Sequence, residues 1–329
     1  KDLDDGIDTI GKKMTVCQLY AKQIRHRGNV RYNTKNGRKR LMKLLEEDKL
    51  GGCPIDSVKL SDAKEWAIRM KEKGISYKTI SNDKRSLKAA FYTAIQDDCI
   101  RKNPFDFQLN TVIEDDTEPK VPLTPAQEES FLSFAQNDKV YQKYYDELII
   151  LLGTGLRISE LCGLTDTDIN FENRIINVDH QLLRSAETGY YIETPKTKSG
   201  IRQIPMSEKV YEAFNRVLKR RRGAKAVTID GYSNFLFLNR DGYPKTATNY
   251  DGMFRGLAKK YNKYHEEALP KVMTPHTLRH TFCTNMANAG MNPKALQYIM
   301  GHSNITMTLN YYAHATFDSA KAEMLRIAA

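Results

Sequence analysis

The 329-residue sequence lacks what several protein classes require. No run approaches the roughly 18 consecutive apolar residues that span a bilayer, and the Lys- and Asp-rich N-terminus has no apolar signal core. Neither membrane insertion nor export is indicated, so no membrane partner is expected and the cytoplasm is the expected compartment. The five cysteines, at 17, 53, 99, 162 and 283, are odd in number, scattered, and never spaced as Cys-x-x-Cys. That argues against a disulfide framework and a cysteine-rich zinc site, and the thiols read as free and buried. There is no repeat with a period of about 20–50 residues and no low-complexity tract. No P-loop and no carboxylate cluster is present, so no nucleotide or metal cofactor is implied.

What is present is positive charge, unevenly placed. The net charge is +11, and residues 1–105 carry 24 Lys and Arg against 14 Asp and Glu, whereas the remainder is nearly balanced. Clustered cations that neutralise phosphates gain affinity by releasing counterions, so the first third reads as the polyanion-facing part. The length allows two domains with buried cores. Residues 1–13 read as an N-terminal extension, 14–108 as a helical DNA-binding domain, 109–122 as an acidic, proline-broken linker, and 123–329 as a second domain. The chain starts at Lys1 rather than at a methionine, which reads as a fragment of something longer.

The fold class expected is mainly α with a small antiparallel β-sheet (α+β). In the first domain, apolar residues recur at helical spacing around Val16, Leu19 and Tyr20, then Leu41, Leu44 and Leu45. A third helix is expected from the Ser61-Asp62 cap to Gly74. A fourth carries Ile80, Leu87, Phe91 and Ala94 on one stripe, with Lys84, Arg85 and Lys88 beside it as candidate DNA-backbone contacts, and Asn103-Pro104 closing it. In the second domain Thr124-Pro125 opens a helix. The apolar run Leu148 to Leu152 breaks at Gly153-Thr154-Gly155, before Arg157. Strands are expected at 174–178, 190–194 and 202–205 in one sheet, with Pro195 to Gly200 as a hairpin turn presenting Lys196 and Lys198. Thr274-Pro275 starts another helix, with His276 and Arg279 three residues apart on one face of it and expected to point the same way. Gly301-His302 reads as a helix end, and Thr306 to His314 as a helix carrying Tyr311. His276 and His280 are spaced at four, but they lack the residues of a zinc protease and a third ligand.

Two arginines, two histidines and a tyrosine suffice to bind a phosphodiester and attack it with a phenolic oxygen. Thr154-Gly155-Leu156-Arg157-Ile158-Ser159-Glu160-Leu161, His276-Thr277-Leu278-Arg279-His280, Met300-Gly301-His302 and Tyr311 together resemble the motifs of the tyrosine recombinases, the phage-integrase family. The likeness spans nearly the whole chain and is greatest to integrases of conjugative transposons. It implies a helical core-binding domain and a catalytic domain, with Arg157, His276, Arg279 and His302 around a nucleophilic Tyr311, next to its rival Tyr312. It also implies a hairpin lysine as general acid. Spacing does not decide between Lys196 and Lys198, and likeness to other Lys-Thr tips favours Lys196.

The chemistry fits these residue types. Charge grows on the non-bridging oxygens as a fifth oxygen approaches phosphorus, and forked guanidinium donors suit them, each preorganised donor contributing about 3–4 kcal/mol. His302 adds a donor, and His276 is the candidate base for the tyrosine proton. Glu160 is read as orienting Arg157 or packing the fold. A phosphotyrosyl bond conserves the energy of the cleaved linkage, so rejoining needs no ATP.

The resemblance further implies excision and integration of a mobile element through a Holliday junction, on double-stranded DNA at element ends and target sites. It implies a homo-oligomer, a dimer per site and a tetramer in synapsis, tied together by the segment from Phe317 to Ala329 unless that segment packs on its own subunit. An excisionase or a host DNA-bending protein is a further implied partner, and an arm-binding domain is common before the point where this chain begins. A type IB topoisomerase and a non-catalytic DNA-binding regulator are the alternative functions.

Overall fold

The computed structural model describes residues 13–28, 30–118, 121–221, 227–312 and 324–325. The chain divides into two compact units, Lys1–Pro119 and Lys120–Ala329. The expected N-terminal extension lies outside the described residues except for Lys13, as does the expected subunit-tying segment from Phe317 onward except for Met324 and Leu325.

The first unit is built on α1 (Val16–His26), α2 (Tyr32–Glu46), α3 (Leu60–Glu72) and α4 (Tyr77–Gln96). Thr15 starts α1 through a capping box: its Oγ1 accepts from Gln18 N at 3.2 Å, and Gln18 Oε1 accepts from Thr15 N at 2.9 Å. Asp62 does the same job from within α3, accepting from Lys59 N at 2.8 Å, so that helix begins just ahead of the expected cap. It stops at Gly74, whose φ of 77° few other residues adopt. Helix α4 ends at Gln96 rather than at Asn103-Pro104. Asn103 instead fastens the exit chain, donating to Lys88 O at 2.8 Å and accepting from Phe105 N at 3.0 Å. That places Phe105 against Trp66 and Phe91, ring centroids 5.7 and 5.4 Å away. Leu109 and Ile113 are buried in the same core, so the first part of the stretch read as linker is packed. Two apolar side chains there outweigh the polar composition around them.

The second unit runs through α5 (Pro125–Asn137), α6 (Tyr145–Thr154), α7 (Ile158–Gly163), β1 (Ile169–Asn170), β2 (Ile175–Val178), β3 (Gln181–Ser185), β4 (Gly189–Glu193) and β5 (Arg202–Pro205). Then follow α8 (Glu208–Arg221), α9 (Ala247–Tyr264), α10 (Pro275–Asn288), α11 (Pro293–Met300) and α12 (Thr306–Leu309). Helix α6, apolar over most of its surface, lies buried with α5, α8 and α10 around it.

Among the described residues the strands form two sheets, not one. β1, β2 and β5 make an antiparallel sheet in which Ile176 faces Ile204 and Val178 faces Arg202. β4 pairs with β3, a strand not anticipated, rather than with β5. The turn that joins β3 to β4 explains the capture: Ser185 Oγ accepts from Thr188 N at 2.9 Å, and Gly189 takes a φ of 69°. Pairing with a sequence neighbour closes the smaller loop. Pro195 to Gly200 is accordingly no hairpin turn but a crossing between sheets, with one 3-10 turn at Lys198–Gly200. The fold is mostly helical with small antiparallel sheets.

Candidate active site

Helix α6 ends at Gly155 in the left-handed conformation, with φ of 63°. A Cβ there would stand 2.5 Å from Phe282 Cδ1 and 3.0 Å from Met300 Sδ, so both the turn and the close approach of α10 and α11 require glycine. The turn delivers Arg157 to the start of α7, where its backbone N donates to Glu160 Oε2 at 2.8 Å and its Nη1 to Glu160 Oε1 at 2.7 Å. Its Nη2 donates to Gly301 O at 3.1 Å. Arg279, on α10, is buried and donates Nη1 to Gly155 O and Nη2 to Met300 O.

A third arginine, absent from the sequence reading, completes the cluster. Arg202 of β5 is buried; its Nε donates to Ile299 O at 2.6 Å, and Nη1 and Nη2 fork onto Glu160 at 3.1 and 2.8 Å. The carbonyls of Ile299, Met300 and Gly301 thus each accept from a different arginine. These are among the groups a helix end leaves unpaired, at its negative pole. Arg202 and Ile204 share the inward face of β5, but the alternation alone does not mark the arginine as part of a site.

Glu160 is the counter-ion of this cluster. Burial opposes its charge, but hydrogen bonds from Arg202 and the fields of Arg202, Arg157 and Arg279 prevail and hold its carboxyl down at about 2. Burial, then repulsion from Arg157, lowers the Arg279 guanidinium to about 9, leaving it protonated at neutral pH.

His302 follows the glycine that ends α11. It is buried, its Nδ1 2.9 Å from Thr308 Oγ1. Burial, followed by the fields of Arg279, Arg157, Arg202 and His276, pushes its imidazole down to about 4, so the ring is neutral at neutral pH. His276 is exposed on the first turn of α10 and close enough to be felt by His302. The two residues that share α10 therefore differ in burial: Arg279 points inward and His276 outward.

Tyr311 does not lie on a helix running to His314. Helix α12 ends at Leu309, and Tyr311 sits in the turn after it, its N bonded to Thr308 O at 3.0 Å. The residues after Tyr312, His314 among them, fall outside the described set. The phenol ring packs edge-on to His280, centroids 4.8 Å apart, and against the cluster of Phe282, Cys283 and Met300. Burial, then Cys283, raises its pKa, while Arg279 opposes the rise. Tyr312, its rival, is tied away: its hydroxyl donates to Met291 O.

Lys196 and Lys198 are both exposed on the crossing between β4 and β5. The foot of that crossing is fixed at the site, since Gly200 O accepts from Arg202 Nη1 at 3.0 Å and a Cβ on Gly301 would stand 3.0 Å from Ser199 O. In the first unit, Lys88 is paired with Asp106 at 2.5 Å and Lys84 lies over the Phe107 ring at 4.4 Å, while Arg85 is exposed beside Asn82. Burial, then Lys88, lowers the pKa of Lys84. Among the described residues, the group able to gather a metal is Asp168, Asp179 and His180, none of them in this site. Both nitrogens of His180 already meet protein acceptors, Asp179 Oδ1 at 2.6 Å and Gly163 O at 2.8 Å.

Comparison with known proteins identifies the family. The sequence model of the Phage integrase family matches residues 122–319. The chain is 69% identical over 327 residues to the transposase from transposon Tn916 of Enterococcus faecalis, covering 99% of this chain and 80% of that protein. It is 26% identical over 268 residues to the tyrosine recombinase XerC of Bacillus pumilus, covering 81% and 80% of the two. Among solved structures, the Tn1549 transposon integrase in complex with a circular intermediate DNA superposes with a TM-score of 0.91 at 78% identity, covering 95% of this chain and 99% of that one. With the family model matched over more than half of the chain, and a curated relative matched over nearly all of it, the chain belongs to the phage integrase family and is a tyrosine recombinase, a site-specific DNA recombinase of the conjugative-transposon integrase type.

Proposed function

We propose that the protein excises and integrates a mobile element by cutting and rejoining double-stranded DNA through a 3′-phosphotyrosyl bond to Tyr311. The observation that carries this reading is the convergence of Arg157 and Arg279 on adjacent carbonyls at the end of α11, next to His302, with Tyr311 following after the short helix α12. Both guanidiniums are held in place by the protein, so they meet developing phosphate charge without reorganising. In the tautomer where Thr308 Oγ1 donates to Nδ1 of neutral His302, Nε2 carries the proton and is a third donor. His276 takes the phenolic proton of Tyr311 as its oxygen bonds phosphorus, and Lys196 protonates the departing 5′-oxygen. A 5′-hydroxyl from the partner duplex then displaces Tyr311, through a Holliday junction.

The solved relatives support the assignment. One Tn1549 integrase complex carries an arginine-to-lysine change and another, on transposon right end DNA, a tyrosine-to-phenylalanine change. Those two positions are separated by the same interval as Arg157 and Tyr311. The first unit, residues 14–108 with its packed continuation to Ile113, tracks the DNA backbone through cations such as Arg85, with Lys84 and Lys88 contributing once their internal partners are exchanged for phosphate. The working form is a dimer on each site and a tetramer at synapsis, acting on bacterial cytoplasmic DNA with an excisionase or host DNA-bending protein.

A nicked suicide duplex bearing an element end tests the reading. Wild type accumulates a covalent adduct, as does Tyr312→Phe, while Tyr311→Phe forms none. An adduct in Tyr311→Phe refutes the nucleophile. Recombinants from a plasmid with paired sites, rather than relaxed plasmid alone, separate strand exchange from topoisomerase action.

A further inference from the structure

Arg202 is the side chain whose placement the recombination chemistry does not itself explain. It is buried, its side chain 0% exposed, and so cannot reach DNA. Yet it donates to three segments at once: Glu160 at the start of α7, Ile299 at the end of α11, and Gly200 in the crossing that carries Lys196 and Lys198. The Gly200 contact is the informative one. Among the described residues no strand pairs with the crossing itself, and the ladder resumes at Arg202, paired with Val178. Its attachments on that side are the Arg202 donor to Gly200 O and the close approach of Ser199 O to Gly301. Lys196 stands four positions before Gly200 in the chain, and Lys198 two. A lysine tip tethered at that range stays within the span of its own chain from the arginine cluster.

We propose that Arg202 is a positioning residue for proton delivery: it anchors the foot of the lysine-bearing crossing to the same helix end that holds Arg157 and Arg279. The leaving oxygen is thereby protonated by a lysine whose reach is set by an arginine that never touches substrate. This rests on the reading above that the crossing supplies the general acid. It differs from a purely structural role for the Arg202–Glu160 pair, which would weaken phosphate binding and proton delivery together.

The two roles separate with a bridging-sulfur substrate. Replacing the 5′-bridging oxygen by sulfur makes the leaving group a thiolate, with a conjugate acid near the ordinary thiol range, so departure no longer needs a proton donor. The quantity read is the ratio of cleavage rates on sulfur- and oxygen-bridged suicide duplexes. That ratio is internal to each variant and does not depend on the fraction folded. Loss of the acid in Lys196→Ala or Lys198→Ala should raise the ratio by about a hundredfold, the lower end of general-acid effects. Arg202→Lys keeps the charge facing Glu160 but loses the planar fork and its simultaneous reach to Gly200 and Ile299. The ratio in Arg202→Lys is expected to rise by about tenfold or more over wild type, part of the full acid effect. If one lysine variant raises the ratio and Arg202→Lys leaves it at the wild-type value, the positioning role is overturned while the acid assignment stands. If neither lysine variant raises it, the crossing holds no acid, and the assignment and the proposal fall together.

Discussion

Replacing Glu160 by Gln tests whether one carboxylate holds the arginine cluster together. Glu160 is 3% exposed and accepts four hydrogen bonds, from Arg157 N and Nη1 and from Arg202 Nη1 and Nη2. Its carboxyl is held at about 2 from an ordinary 4.5. A depression of that size corresponds to about 3 kcal/mol favouring the folded state at neutral pH. Because the folded pKa is the lower one, this stability is present above about pH 4.5 and is lost as pH falls toward about 2. Glutamine is nearly isosteric, but it turns an NH2 toward an arginine donor and leaves buried guanidiniums without their counter-ion. Removing one member of a buried ion pair costs about 3–5 kcal/mol. For a unit of this size that is a fall in Tm of roughly 6–20 °C at pH 7. Thermal unfolding followed by circular dichroism at neutral pH, with urea titrations at descending pH, measures both effects. The stability gap between wild type and Glu160→Gln should be widest above pH 4.5 and narrow below it, as wild type protonates the same carboxyl. A variant with wild-type Tm at neutral pH, or a gap that ignores pH, refutes the reasoning.

Gly155→Ala forces a side chain into a left-handed turn and toward Phe282, costing about 1–2 kcal/mol for the backbone and about 1–3 kcal/mol for overpacking, and should lower the urea midpoint accordingly. It should also slow cleavage, since Arg279 is seated on the Gly155 carbonyl. His302, pushed down to about 4 from 6.5, binds its proton less readily folded than unfolded, so stability should decline as pH falls from about 6.5 toward 4. His302→Gln should flatten that part of the urea-stability profile; an unchanged slope would assign it elsewhere. On duplex DNA, Arg85→Ala should reduce the salt slope of binding by about 1, and Lys88→Ala by less, because Lys88 must first leave Asp106. Equal slopes for the two variants in filter binding would argue against that difference.

Much of this was legible in the chain because the informative residues have local signatures. Thr124-Pro125 and Thr274-Pro275 announce helices α5 and α10 through backbone chemistry that needs no tertiary context. The left-handed Gly155 and Gly301 mark the turns that present Arg157 and His302. Long-range pairing was less accessible. Gln181 to Ser185 has only a short apolar core, Leu182 and Leu183, and its strand character depends on β4 folding back against it. Asn103-Pro104 looked like a helix stop, but the helix had already ended at Gln96. Arg202 resembled any polar residue in an alternating strand. Its burial depends on Glu160 more than forty residues away and on a helix end almost a hundred residues on, and no local pattern carries that information.

The three carbonyls closing α11 set a rule about length. Each residue of an α-helix advances the chain by about 100°, so deleting or inserting one residue within Pro293–Met300 would swing Ile299 O, Met300 O and Gly301 O away from all three guanidiniums at once. Exposed side chains on that helix can change identity with little consequence, whereas its residue count cannot. Inserting or deleting one residue within Pro293–Met300 should therefore cost more cleavage on the suicide duplex than substituting an exposed side chain of the same helix.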